Sequence, residues 1–230
     1  MDWSKSNNMS TVGGGGKIIT DGLVLCLDAA NPRSFVSGST VWNDLTANIT
    51  NGSLINGPIY SSVDSGGINF DGLDDYVNLG NSSVTQFPNN TPWTISITAE
   101  LLTQNVAFAG LMVKGSSVTS GVLIFYSNNG RIYFKHNNSQ PTYVTTTLNT
   151  PFQYTVTYSG GGTTRIYLNG VYQNNGPLIS SVDTTNNLFL GRGDDYGNVR
   201  IYNFSKYSKQ LSDNDVLQNY NKIKTRFGLW

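Results

Sequence analysis

The strongest constraint on this chain is a two-residue apolar rhythm punctuated by Asn-Gly pairs. In "WTISITAEL", Trp93, Ile95, Ile97, Ala99 and Leu101 fall on one side, and Thr94, Ser96, Thr98 and Glu100 on the other. Successive side chains of a strand point to opposite faces, so the pattern predicts a half-buried strand. "FQYTVTY" repeats it with Phe152, Tyr154, Val156 and Tyr158. "TTRIYLNGVYQ" reads as a hairpin turning at Asn169-Gly170, and "SNNGRIYF" as one turning at Asn129-Gly130. Asn-Gly accepts the positive φ angles of a tight turn at little cost. Many short strands joined by such turns predict an all-β fold, a two-sheet antiparallel sandwich. Composition agrees, with 25 glycines, 13 tyrosines and few of the residues that fill helices.

One helix is predicted, near the end, in "LSDNDVLQNYNKIKTRFGLW". Ser212 is a good N-cap, and Asp213 and Asp215 suit the first turn. Val216, Tyr220, Ile223 and Phe227 form one apolar stripe that should pack back on the sandwich, with Gly228 as the stop. At the other end, residues 1–20 are polar and then glycine-rich through Gly13–Gly16, which reads as a flexible arm and an anchor. Residues 21–230 make up the domain.

Acids and bases balance at 14 each. That argues against a broad footprint for nucleic acid. No stretch approaches the ~20 apolar residues of a membrane span, and the start lacks the apolar core of a signal peptide. The expectation is therefore synthesis in a cytoplasm, without membrane insertion. Cys26, the single cysteine, lies in the apolar run "GLVLCLDA" and reads as a buried small side chain. Gly13–Gly16 do not make a phosphate loop, because Lys17 is followed by Ile18.

The chemistry concentrates in "FDGLDDYVNLG", which places Asp71, Asp74 and Asp75 within five positions. Asp71-Gly72 has the form of a tight turn between two strands, capped by the aspartate itself. The same acids are candidate calcium ligands, joined by Asp44 and Asp28 if the fold brings them close. Calcium is the one cofactor these residues suggest. Catalysis is not expected. Glu100 is the only glutamate, placed on an outward face, so a facing carboxylate pair for glycoside hydrolysis is missing. His136, the single histidine, reads as a surface or strand-end residue without triad or zinc partners. A sugar would need aromatic platforms beside amide hydrogen-bonders. Tyr126, Tyr133, His136, Asn137 and Tyr143 are the candidates, with Asn128, Asn129 and Asn138 nearby.

Six segments in order carry a resemblance: "DGLVLCLDAANPRSF", "VWNDLTANITNGSLINGP", "GGINFDGLDDYVNLG", "FQYTVTYSGGGTTRIYLNGV", "NNLFLGRG" and "VRIYNFSKYSKQLSDNDVLQNYNKIKTRFG". Over roughly residues 21–228 the chain resembles the laminin-G-like, concanavalin-A-like jelly-roll domain, in the single-domain form found in tailed-bacteriophage virion structural proteins. The resemblance implies two antiparallel sheets, one concave, with ligand and calcium sites on rim loops or the concave face. "DLTANITNG" departs from the family's "DLSGNGNNG", with Ala47 and Ile49 in place of glycines in a loop that often shapes the metal rim.

Two functions follow. One is a non-enzymatic virion protein on the particle surface, a capsid decoration or a tail or fibre component, held to other virion proteins by the N-terminal arm. The other is a lectin module for host or environmental glycans. A homo-oligomer formed through an edge strand or end loop is compatible with either.

Overall fold

The computed structural model describes residues 17–103, 108–117, 120–178 and 185–229. In chain order the strands are β1 (Leu23–Asp28), β2 (Val41–Trp42), β3 (Gly52–Ile55), β4 (Ile59–Ser61), β5 (Gly67–Asp71), β6 (Tyr76–Asn78), β7 (Trp93–Leu101), β8 (Ala109–Ser117), β9 (Ser120–Ser127), β10 (Arg131–His136), β11 (Thr142–Thr145), β12 (Phe152–Tyr158), β13 (Thr163–Leu168), β14 (Val171–Leu178), β15 (Leu188–Leu190) and β16 (Asn198–Tyr207). One helix, α1 (Asp213–Ile223), follows them. The strands build two antiparallel sheets. Sheet A runs β14-β13-β12-β7-β16-β5-β4, with β1 beside β5 along the same edge of β16. Sheet B runs β11-β10-β9-β8-β15-β6-β3-β2.

The inward faces of the two sheets share one core. Ile95, Ile97 and Leu101 of β7 meet Leu111, Ile124, Phe134 and Leu190 of sheet B in it. At one end Trp93 packs between Phe87 and Tyr158, with ring centroids 5.2 and 5.3 Å away. Burying such side chains contributes about 1.5–3 kcal/mol each, which is what drives two amphipathic sheets face to face.

Both expected hairpins are present, with different turns. Asn169 and Gly170 have φ of 50° and 78°, the two left-handed residues of a two-residue loop. Between β9 and β10, Arg131 pairs with Ser127, so the loop has three residues and only Gly130 is left-handed. The acidic segment joins two strands, as expected, but β5 lies in sheet A and β6 in sheet B, so "DGLDD" carries the chain across the sandwich.

Strand β7 is not half-buried. All nine of its residues are buried. The expected solvent face is covered by α1 and the segments that flank it. Thr94 donates to the Lys209 carbonyl at 2.9 Å and accepts from Leu211 N at 2.9 Å. Ser96 and Thr155 share a 2.8 Å hydrogen bond. Thr94, Ser96 and Thr155 are thus buried with partners, whereas the Thr98 hydroxyl on the same side of β7 is buried without one among the described residues.

Helix α1 starts with a reciprocal capping box. Ser212 Oγ accepts from Asp215 N at 3.2 Å, and the Asp215 carboxylate accepts from Ser212 N at 3.0 Å. Val216 packs on Tyr167, Tyr207 and Leu211, while Ile223 and Phe227 pack on Tyr202. The helix ends at Ile223, before the expected Gly228, and Phe227 reaches the sheet from the turns that follow. There Arg226 grips Asp28 through two hydrogen bonds of 2.7 and 2.9 Å.

The folded body reaches back beyond residue 21. Ile18 joins the cluster of Tyr202, Phe227 and Leu229, and Ile19 packs near Tyr167 and Tyr207. Ile19 N donates to Asn219 Oδ1 at 2.8 Å, and Gln218 Nε2 donates to the Lys17 carbonyl at 3.0 Å. The remainder of the expected arm, residues 1–16, lies outside the described residues.

Candidate functional site

Alternation along β10 decides which side chains leave the sandwich. Ile132, Phe134 and His136 are buried, while Arg131, Tyr133 and Lys135 share the outer face of sheet B. Register places Tyr143 of β11 opposite Tyr133, and Phe125 of β9 on the other side of it. Phe125 and Tyr133 stack at 5.0 Å with planes 9° apart, and Tyr143 tilts against Tyr133 at 5.6 Å. Tyr143 is 41% exposed. The Arg131 guanidinium lies 4.0 Å from the centre of the Tyr143 ring. Asn129, in the β9–β10 loop, donates to the Tyr133 hydroxyl at 2.8 Å. The result is an aromatic step edged by a guanidinium and an amide, all on one face.

The five residues expected at a glycan rim are therefore divided. Tyr133 and Tyr143 stand together on the outer face. Tyr126 points inward and its hydroxyl bridges the backbone of Asn198, accepting at 2.9 Å and donating at 3.3 Å. Burial pushes that phenol up to about 12. His136 is not a surface residue: it is 1% exposed, on the inward side of β10. Asn137 closes the strand end, its Oδ1 accepting from Gly121 N at 2.7 Å. Arg131 and Lys135 were not among the expected residues, although the alternation in "RIYFKH" already sets them beside Tyr133.

The acids divide as well. Asp71, Asp74 and Asp75 meet, with a carboxylate oxygen from each lying within 4.8 Å of the others. Asp71 Oδ1 accepts from Leu73 N at 2.8 Å, and Asp75 Oδ2 accepts from Asp71 N at 3.1 Å. These bonds hold the crossover in shape, as expected of an aspartate-capped turn. Burial, opposed by the Asp71 hydrogen bond and reinforced by the neighbouring acids, holds the Asp75 carboxyl above the usual carboxylate range.

The other two candidate calcium ligands are committed elsewhere. Asp28 is bound to Arg226. Asp44 caps its own loop, accepting from the backbone N–H groups of Cys26, Thr46 and Thr50, each at 3.0 Å. The five-acid set does not assemble, and the three that meet supply at most half of the about six to eight oxygens calcium takes if each gives one. Ile49 has φ 53°, so that loop keeps a glycine-like backbone without glycine, at a cost of about 1–2 kcal/mol.

The other conspicuous polar groups are buried. Glu100 is not solvent-facing. It accepts from Arg200 Nη1 at 2.7 Å and from the Tyr202 hydroxyl at 2.8 Å, and Asp64 lies 3.1 Å from that hydroxyl. Tyr202 is fully buried under Phe227, so these two carboxylates do not face an open cleft. Cys26 is buried, as expected, and burial pushes its thiol up to about 12. Two lysines point between the sheets. Lys114 of β8 donates to Asn81 Oδ1 at 2.6 Å and to the Asn186 carbonyl. Lys206 of β16 is 4% exposed, with its ammonium 5.2 Å from the centre of the Phe87 ring.

The family model of the concanavalin A-like lectin/glucanases superfamily, of laminin-G type, matches residues 70–217, more than half of the chain. The chain belongs to this superfamily. Solved structures share the fold at low identity. The sialidase of Trypanosoma rangeli, in complex with the inhibitor DANA, matches with a TM-score of 0.69 at 14% identity, over 90% of this chain and 34% of that one. The binding domain of Paraclostridial Mosquitocidal Protein 1 matches with a TM-score of 0.69 at 16% identity, over 87% of this chain and 52% of that one. The receptor binding domain of botulinum neurotoxin type G matches with a TM-score of 0.65 at 13% identity, over 87% and 51%. This concanavalin A-like chain thus spans about a third of the sialidase and about half of each toxin domain. Identities this low show the fold alone. No curated protein matches the chain.

Proposed function

We propose that this chain is a non-enzymatic carbohydrate-binding module whose site is the outer face of sheet B at β10 and β11. One observation carries the reading: the exposed Tyr143 ring, capped by Arg131 and continued by Tyr133 and the Asn129 amide. A sugar ring has an apolar C–H face and a polar edge, and this step offers an aromatic surface with hydrogen-bonding groups at its border. The lectin character of the superfamily and the two toxin binding domains among its structural neighbours support the reading. So does the position of Asp64 and Glu100, whose convergence on a buried hydroxyl leaves no substrate between them.

The test is binding to a panel of oligosaccharides. Millimolar-to-micromolar binding is expected, weakened about tenfold or more in Tyr143→Ala, whose exposed position leaves the fold intact. Absence of binding across a broad panel, with and without calcium, overturns it.

A placement on a tailed-phage virion, on capsid or tail, is the second part of the proposal. Its support is the resemblance to such virion domains together with one structural fact. Lys17–Thr20 dock on the outer side of sheet A, so an arm preceding them joins the body on the side away from Tyr143.

A further inference from the structure

We infer that the ligand of this face is an acidic oligosaccharide, bound along β10 with its anionic groups on Arg131 and Lys135. The inference rests on the carbohydrate reading and adds the ligand's charge. The first observation is composition by sheet. The whole chain balances 14 acids against 14 bases, yet the described strands of sheet B contain no Asp or Glu. Arg131 and Lys135 share the outer face of one of them. By register, Asp194 and Asp195 belong to a loop bridged to Ala109 of β8, with β8 and β9 between it and β10.

The second observation is that these cations are unspent. Among the described residues, Arg131 makes only its contact with the Tyr143 ring, and Lys135 makes no ion pair or side-chain hydrogen bond. Arg165, Arg200, Lys209 and Arg226, by contrast, are all paired with carboxylates. Stacking fixes the Arg131 guanidinium while leaving its N–H edge open, the arrangement best suited to a carboxylate or sulfate. The two cations are four residues apart on the strand, about 13 Å between backbone positions. Tyr133 sits midway between them. A chain of sugars can lie over that tyrosine with an acidic substituent reaching each end.

The discriminating experiment uses a uronic-acid oligosaccharide and the same oligosaccharide with its carboxyl groups reduced to alcohols. The acidic form is expected to bind about tenfold tighter at low salt, an advantage that shrinks as salt rises. In Arg131→Gln/Lys135→Gln the two forms should bind within about twofold of each other, while Tyr143→Ala should weaken both. Equal binding of both forms to the unaltered protein overturns the acidic assignment and leaves the carbohydrate site standing. Binding of neither form, or binding of an oligothymidylate in place of both, overturns this inference along with the assignment of this face to sugars.

Discussion

At the scale of single residues, the least expected feature is Lys206. It faces Ile95 across the ladder and points into the space between the sheets. Burial first, and then the neighbouring charge of Lys114, pushes its ammonium from the ordinary 10.5 down to about 8. A lowered lysine means that the folded state binds fewer protons than the unfolded chain between pH 8 and 10.5. Stability therefore rises with pH across that window, and the full cost of the charge is present below it. Lys206→Met is expected to stabilise the protein by roughly 2–3 kcal/mol at pH 7, with the gain fading toward pH 10.5. Urea unfolding of both proteins at pH 7 and pH 10 checks this, and equal midpoints at pH 7 refute it. Simple alternation hides this lysine. A bulge between Ile201 and Asn203 shifts the phase of β16, so Val199 and Ile201 point inward before it and Phe204 and Lys206 after it. Counting by twos from Val199 puts Lys206 outside.

At the scale of elements, α1 and its trailing turns act as the cover of sheet A. Arg226 fixes the far end of that cover to Asp28 of β1. Burial pushes the Asp28 carboxyl up, against the pull of Arg226. Arg226→Ala leaves a buried acid without its cation and should cost about 3 kcal/mol in chemical unfolding. Adding Asp28→Asn to that variant should recover part of the loss, and failure to recover any would mean that packing, not charge, dominates at this position. The helix itself was legible, because cap, charge and stripe all agree from Ser212 to Phe227. Its effect on β7 was not. Thr94, Ser96 and Glu100 look like solvent-facing residues until the partners that bury them are known, and those partners are far away in sequence.

At the scale of the whole molecule, the sandwich has two unlike sides. Sheet A is roofed by α1 and by Lys17–Thr20, whereas sheet B presents the tyrosine step with Arg131 and Lys135. Removing residues 1–16 should leave the unfolding midpoint unchanged. Removing 1–20 should lower stability by about 2–4 kcal/mol, since Ile18 and Ile19 then leave their clusters. Identical thermal melts for the two truncations would refute this assignment. If the arm is the virion anchor, the shorter truncation also fails to incorporate into particles. The two-layer fold could be read from alternation and turns. The site was legible only in part, because "FDGLDDYVNLG" passes between sheets and because Tyr126 and Tyr133, both apt for sugars, fall on opposite faces of sheet B. Which residues share a face depends on strand parity, and parity is set by loop lengths and bulges that residue types specify weakly.

Ile18 and Leu229 rest in the same cluster, so the first and last described segments are neighbours in space. A larger polypeptide could host this domain within one of its surface loops, entering and leaving through almost the same point, with little strain on its own framework.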